Sequence, residues 1–226
     1  CDPDIVDKLE SYVAAGGKAI VTHGFLQATM DRGIQRMTSI RFANRKVLAE
    51  DFLVEQVPSI MHWRLMTYPH GEKPILITVP EHRNNASWAL VKTRVGQESY
   101  GMLLRDTYGK GEMLTLAVPD SFSDLYRLPA DVLTRIRAAM PVNGIHLECG
   151  PLVSLFAYDN DAFIVYPYVD EGTQPSMARI HVAGQVKQLD APAGGRPLQP
   201  LYTTDKETVF EYCLQPGRYD LFRIVR

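Results

Sequence analysis

The sequence predicts an α+β chain in two unlike parts. A partial α/β layer spans residues 1–143 and carries a β-rich insertion at about 45–105; a small antiparallel β-sandwich follows over 144–226. Three observations carry this expectation. An amphipathic helix stopped by Gly16-Gly17 leads directly into the short apolar run Lys18–Thr22, an order that belongs to a layered α/β sheet. From about residue 45 to 105 the helical period is lost and strand-like runs succeed one another. From Asn143 onward, about seven short strands with frequent turns fit into about 80 residues, the spacing of a sandwich.

Asp2-Pro3 supplies an N-cap residue and a proline at the first helical position. Ile5, Val6, Leu9, Tyr12 and Val13 then form one apolar helical face. Gly16-Gly17 stops the helix, because glycine accepts the left-handed conformation beyond a C-cap. Lys18–Thr22 reads as a buried strand of a parallel sheet, His23-Gly24 turns the chain, and Phe25–Arg32 reads as a short helix. No strand precedes the first helix, so the start of the α/β domain is expected to lie outside this chain.

Arg45–Val54, Ser59–Tyr68, Lys73–Val79, Trp88–Arg94 and Glu98–Arg105 read as strands, with a polar loop at Glu81–Asn85. Tyr108-Gly109-Lys110-Gly111 is a turn, since two glycines tolerate positive φ, and Glu112–Val118 is the apolar strand after it. A helix with Val132, Leu133, Ile136 and Met140 on one face ends at Pro141 and is expected to close the α/β layer. The sandwich strands are expected at Ile145–Cys149, Leu152–Tyr158, Ala162–Val169, around Ala178–Val182, Val186–Leu189, Thr208–Leu214 and Tyr219–Val225.

Charge excludes one class of partner. With 24 basic and 26 acidic residues and no basic block, the chain has no electrostatic footprint for nucleic acid. No apolar run approaches the ~20 residues that span a bilayer, so no membrane partner is expected. Cys1, Cys149 and Cys213 form neither a disulfide framework nor a zinc pattern, and read as small apolar residues plus a terminal thiol. No cofactor motif is present: Tyr108–Gly111 lacks the spacing of a phosphate loop.

Several residues could carry chemistry. His23 stands at the C-terminal end of its strand, where open α/β sheets bind ligands; a helix-capping or loop role is the plainer reading. His23 or His82 with carboxylates such as Glu81, Asp106, Asp120 and Asp124 would make a hydrolase, given a base within reach of a nucleophile or water. His62, His70 and His82 fall on separate strands or loops, so no metal set is expected. Cys149 has neither a helix N-terminus nor a base beside it. A flat ring beside an amide suits sugar, which singles out His62, Trp63, Asn84, Asn85 and Trp88 as a carbohydrate platform, with core packing of both tryptophans as the alternative. Tyr158, Tyr166 and Tyr168 read as sandwich core and rim.

The stretch DIVDKLESYVAAGGKAIVTHGFL resembles a segment of class I glutamine-amidotransferase-like domains, including the trimerisation-type domain of some β-galactosidases. YGKGEMLTLAVPDSFSDLYRLPADVLTRIRAAM resembles the closing strand, loop and helix of that flavodoxin/amidotransferase-like layer, and FEYCLQPGRYDLFRI resembles the last strands of a sandwich in glycoside-hydrolase-like bacterial proteins. No residue matches the amidotransferase nucleophile, so no catalytic residue is assigned. The resemblance implies a non-catalytic accessory or C-terminal region of a glycoside-hydrolase-like protein, serving assembly or completing a neighbouring carbohydrate site. Its partners would be carbohydrate and an upstream domain or a second copy. A self-contained carbohydrate-binding module and a His/carboxylate hydrolase are the alternatives.

Overall fold

The computed structural model describes residues 2–55, 66–82, 86–168, 174–191 and 195–226. The chain divides into two compact units, Cys1–Leu128 and Pro129–Arg226. Strand is the dominant element in both.

The first unit holds helices α1 (Ile5–Ala14) and α2 (His23–Thr29) and strands β1 (Lys18–Thr22), β2 (Arg41–Glu55), β3 (Met66–Thr67), β4 (His70–Glu81), β5 (Trp88–Val95), β6 (Glu98–Tyr108) and β7 (Gly111–Leu116). They form one sheet in the order β1-β7-β6-β5-β2-β3, with β4 also paired to β2. The amphipathic face of α1 supplies Val6, which packs with Val21, Leu26, Ile34, Ile40, Leu104 and Met113 in a single buried cluster. Thr22 caps α2, its hydroxyl accepting from the Phe25 amide at 3.3 Å.

Lys18–Thr22 is a strand in a parallel pair, running beside β7 in register from Lys18↔Glu112 to Thr22↔Leu116. The rest of the expected α/β layer needs correction. Among the described residues β1·β7 is the sole parallel pair; every other pairing in this sheet is antiparallel. The strands read as an insertion are the body of the same sheet. The reason is the length of the connections. β5 and β6 are joined through Gly96 and β6 and β7 through Gly109-Lys110, and two-residue turns can only return a strand antiparallel to its neighbour. Most of the run Ser59–Tyr68 lies outside the described residues.

The second unit holds α3 (Ala130–Ala139) and strands β8 (Ile145–Glu148), β9 (Val153–Ala157), β10 (Ala162–Pro167), β11 (Ser176–Ala183), β12 (Gln188–Asp190), β13 (Tyr202–Thr203), β14 (Glu207–Leu214) and β15 (Asp220–Val225). Two antiparallel sheets form, β12-β15-β10-β9 and β13-β14-β11-β8. Phe163, Val165, Phe222 and Ile224 from one sheet and Ile145, Leu147, Ile180 and Phe210 from the other share one core. This is the expected sandwich. Within it, Phe163 and Phe222 lie 5.3 Å apart between ring centroids, and Tyr212 meets Phe222 edge-on at 5.0 Å.

Helix α3 is the second correction. It buries Val132, Ile136 and Ala139 and packs on β8 of the second unit. Arg137 fastens it there, donating to the carbonyls of Cys149 at 2.8 Å and Gly150 at 3.1 Å. An apolar helical face requires a sheet to cover it, but does not say which one. No helix among the described residues is long and apolar enough to cross a membrane.

Candidate functional site

The sandwich presents an aromatic groove on the outer face of the sheet β12-β15-β10-β9. Strand alternation explains it. In β9, β10 and β15 the inward positions are Leu155, Phe163, Val165 and Phe222, so their neighbours Phe156, Ile164 and Leu221 point away from the core. Register aligns those three into one row, with Ile164 opposite Phe156 on one side and Leu221 on the other. Tyr158, Tyr166 and Tyr219 flank the row. Together Phe156, Tyr158, Ile164, Tyr166, Gly217 and Tyr219 line a groove of about 450 Å³.

Its rings are exposed. Phe156 and Tyr158 are each 49% accessible and Tyr219 is 71% accessible. They are nonetheless supported. Tyr166 meets Tyr168 edge-on at 4.9 Å and Tyr219 at a tilt at 6.4 Å. The Ser154 hydroxyl donates to the Tyr168 hydroxyl at 3.3 Å. Gly217 has φ +72°, a turn that favours glycine, and its amide donates to the Pro167 carbonyl at 2.9 Å. Among the described residues no charged side chain lines the groove. The site offers apolar ring faces with phenolic hydroxyls at the rim, which suits a neutral ligand with one apolar face and several hydroxyls.

The residues singled out in the sequence lie in the first unit. His62, Trp63, Asn84 and Asn85 fall outside the described residues. Trp88 opens β5, is 38% accessible, and donates its indole N–H to the Glu55 carboxylate. His23 begins α2 and stacks on Phe42 at 6.3 Å. Burial lowers the His23 pKa and the nearby Asp120 carboxylate opposes that shift. Asp120 itself accepts from Lys46 at 2.5 Å and Thr78 at 2.8 Å, and Asp106 accepts from the Thr38 hydroxyl inside the unit. Asp124 pairs with Arg127 at 3.2 Å. Glu81 and His82 line a separate polar cleft of about 360 Å³ with Arg45, Glu98 and Tyr100.

Residues 144–224 match the family model described as probable glycosyl hydrolase, C-terminal domain. The match supports a glycoside-hydrolase-associated domain over those residues; it takes in every residue of the groove but less than half of the chain. No curated protein matches. Among solved structures, the chain is similar to a β-galactosidase from Bacillus circulans sp. alkalophilus, at 12% identity and a TM-score of 0.45, covering 99% of this chain and 31% of that one. It is similar to α-L-fucosidase isoenzyme 2 from Paenibacillus thiaminolyticus, at 12% identity and a TM-score of 0.44, over 97% of this chain and 38% of that one. A cytoplasmic protein from Salmonella typhimurium LT2 aligns at 18% identity and a TM-score of 0.36, over 51% and 49%. The chain spans less than half the length of each of these proteins.

Within the matched segment, the groove is not legible from sequence. Tyr158, Tyr166 and Tyr168 read as core and rim from sequence, and nothing there singles out Phe156. The available signal is the aromatic series at 156, 158, 166, 168 and 219.

Proposed function

We propose that this chain is a non-catalytic accessory region of a glycoside-hydrolase-like protein, and that its sandwich groove holds neutral carbohydrate beside a catalytic site. The observation behind this reading is the outward-facing row Phe156–Ile164–Leu221 flanked by tyrosines, in the segment that matches a glycosyl hydrolase C-terminal domain. A pyranose ring has an apolar C–H face that packs on aromatic rings, and its hydroxyls can exchange hydrogen bonds with tyrosine hydroxyls. The uncharged lining among the described residues favours neutral sugars over uronates or phosphorylated glycans.

A second reading places sugar at Trp88 with Trp63, Asn84 and Asn85. The partial exposure of the Trp88 ring favours it.

The test is a titration of the ¹⁵N-labelled full chain with a panel of neutral oligosaccharides, followed by amide chemical shifts. Shifts clustered at Tyr158, Tyr166, Gly217 and Tyr219 are expected. Shifts centred on Trp88 would move the site to the first unit, and no shift with any neutral glycan would contradict carbohydrate binding.

A further inference from the structure

The outer face of the other sheet, β13-β14-β11-β8, carries a cluster of a different kind. His146 on β8 lies directly opposite His181 on β11, and Ala183 on β11 lies opposite Glu207 on β14. Ala183 stands two positions on from His181, with only Val182 between them, so both histidines and Glu207 share one face on three adjacent strands. Ile145, Leu147, Ile180, Val182 and Phe210 take the opposite, core-facing phase.

One donor atom from each of His146, His181 and Glu207 lies within 4.8 Å of the other two. The imidazoles stack, with centroids 4.3 Å apart and planes 22° apart. His181 is only 8% accessible. Its Nδ1 sits 3.2 Å from Glu207 Oε2, yet it makes no aligned hydrogen bond among the described residues. Its Nε2 lies 3.2 Å from Glu148 Oε2, and Arg179 donates to the other oxygen of Glu148 at 3.0 Å.

We propose that His146, His181 and Glu207 form a binding site for a borderline-soft divalent transition-metal ion, Zn²⁺ foremost, which clips β8, β11 and β14 together. Two imidazoles and a carboxylate are a zinc-type donor set. Around a tetrahedral zinc ion the donors would stand about 3.3 Å apart, so closing from at most 4.8 Å takes side-chain movement of no more than about 1.5 Å. Glu148 then acts as a positioning residue, a carboxylate against the far nitrogen of a ligating imidazole. Burial, with His181 adding to it, pushes the His146 pKa down to about 4, so this ring offers a lone pair at neutral pH. Burial alone would lower the His181 pKa, but Glu148 and Glu207 outweigh it and raise it to about 9. A proton therefore competes with the metal at His181, and the titration belongs at mildly alkaline pH.

The experiment is a titration of the chelator-treated full chain with ZnCl₂, read by calorimetry and by the ring resonances of its six histidines. One ion per chain is expected, with shifts at His146 and His181, no response to Mg²⁺, and a loss of affinity of more than about 10-fold in each of His146→Asn and Glu207→Gln. Folding of the variants is checked by circular dichroism. Zinc-induced shifts confined to other histidines, no shift at all, or folded variants that bind as tightly as the parent would overturn the proposal. Should either variant fail to fold, the ring shifts of the parent chain decide the matter. The site uses the sheet opposite the aromatic groove, so its outcome is independent of carbohydrate binding.

Discussion

Gly111 stands so close to Gly17 that a methyl group on its Cα would lie 2.2 Å from the Gly17 carbonyl oxygen, and equally close to that of Val13. The two segments are tied further by backbone donation from Glu112 to Gly17 at 3.1 Å and from Lys110 to Ala14 at 3.2 Å. The glycines of AAGGK and YGKGE therefore serve one contact, where the end of α1 and the β6–β7 turn meet backbone to backbone.

A stability contrast follows. Gly111→Ala has to displace backbone, and is expected to cost at least the about 1–3 kcal/mol of an overpacked core. A methyl group in Gly17→Ala first meets the Tyr12 ring, an exposed side chain that can swing aside, and the change is expected to cost clearly less. Thermal denaturation of the two variants checks the order; equal losses would contradict it.

The alternation along β15 makes a second contrast. Phe222 is fully buried in the sandwich, and Phe222→Ala is expected to cost about 3–5 kcal/mol. Leu221→Ala, on the groove face, is expected to change stability by under about 1 kcal/mol. Urea denaturation of both variants measures the difference, and a Leu221 loss as large as that of Phe222 would mean that the groove face is core.

Cysteine chemistry gives a third expectation. Cys149 is buried and its thiol is pushed up by burial, with Arg137 opposing the shift, whereas Cys213 is exposed. Since the thiolate is the reactive form, Cys149 is expected to react with a disulfide reagent only on unfolding, and Cys213→Ser to remove one rapidly reacting thiol. Rapid modification of Cys149 in the folded chain would contradict its place under α3.

His23 predicts a pH effect whose sign is fixed. Its folded pKa lies below 6.5 because burial disfavours the imidazolium. Above that pH the ring is neutral in both folded and unfolded chains and contributes no difference. As the pH falls below it, the unfolded chain takes up the proton first, so stability declines until the folded ring is protonated too. Asp120→Asn removes the opposing carboxylate and is expected to lower the His23 pKa further. Titration of the His23 ring proton by NMR reads both values, and a pKa at or above 6.5 in the parent chain would contradict the burial argument.

Much of the sandwich was legible because turns at Asp159-Asn160, Gly184-Gln185 and Pro216-Gly217 punctuate it, and because Ala178–Val182 alternates cleanly. The groove was not legible because β10, AFIVYP, is apolar on both phases and β9, VSLFA, departs from that only at Ser154. Such a strand gives no sign of which face is inward. The histidine pair was hidden for a related reason: His146 and His181 each occupy the polar phase of an alternating strand, but only register makes them neighbours, and the chain between them does not set register. In the first unit, the helix, double glycine and β1 were read correctly, while the sheet around them was misjudged. A single parallel pair at the edge of an antiparallel sheet has the same local signature as the start of a doubly wound layer.

The most direct test of the carbohydrate reading is calorimetric titration of the full chain with the oligosaccharide that shifts its amides most, alongside a Tyr166→Ala, Tyr219→Ala double variant of unchanged far-UV spectrum. Groove binding predicts that the variant loses more than about 10-fold in affinity. Undiminished affinity in the folded variant would contradict it.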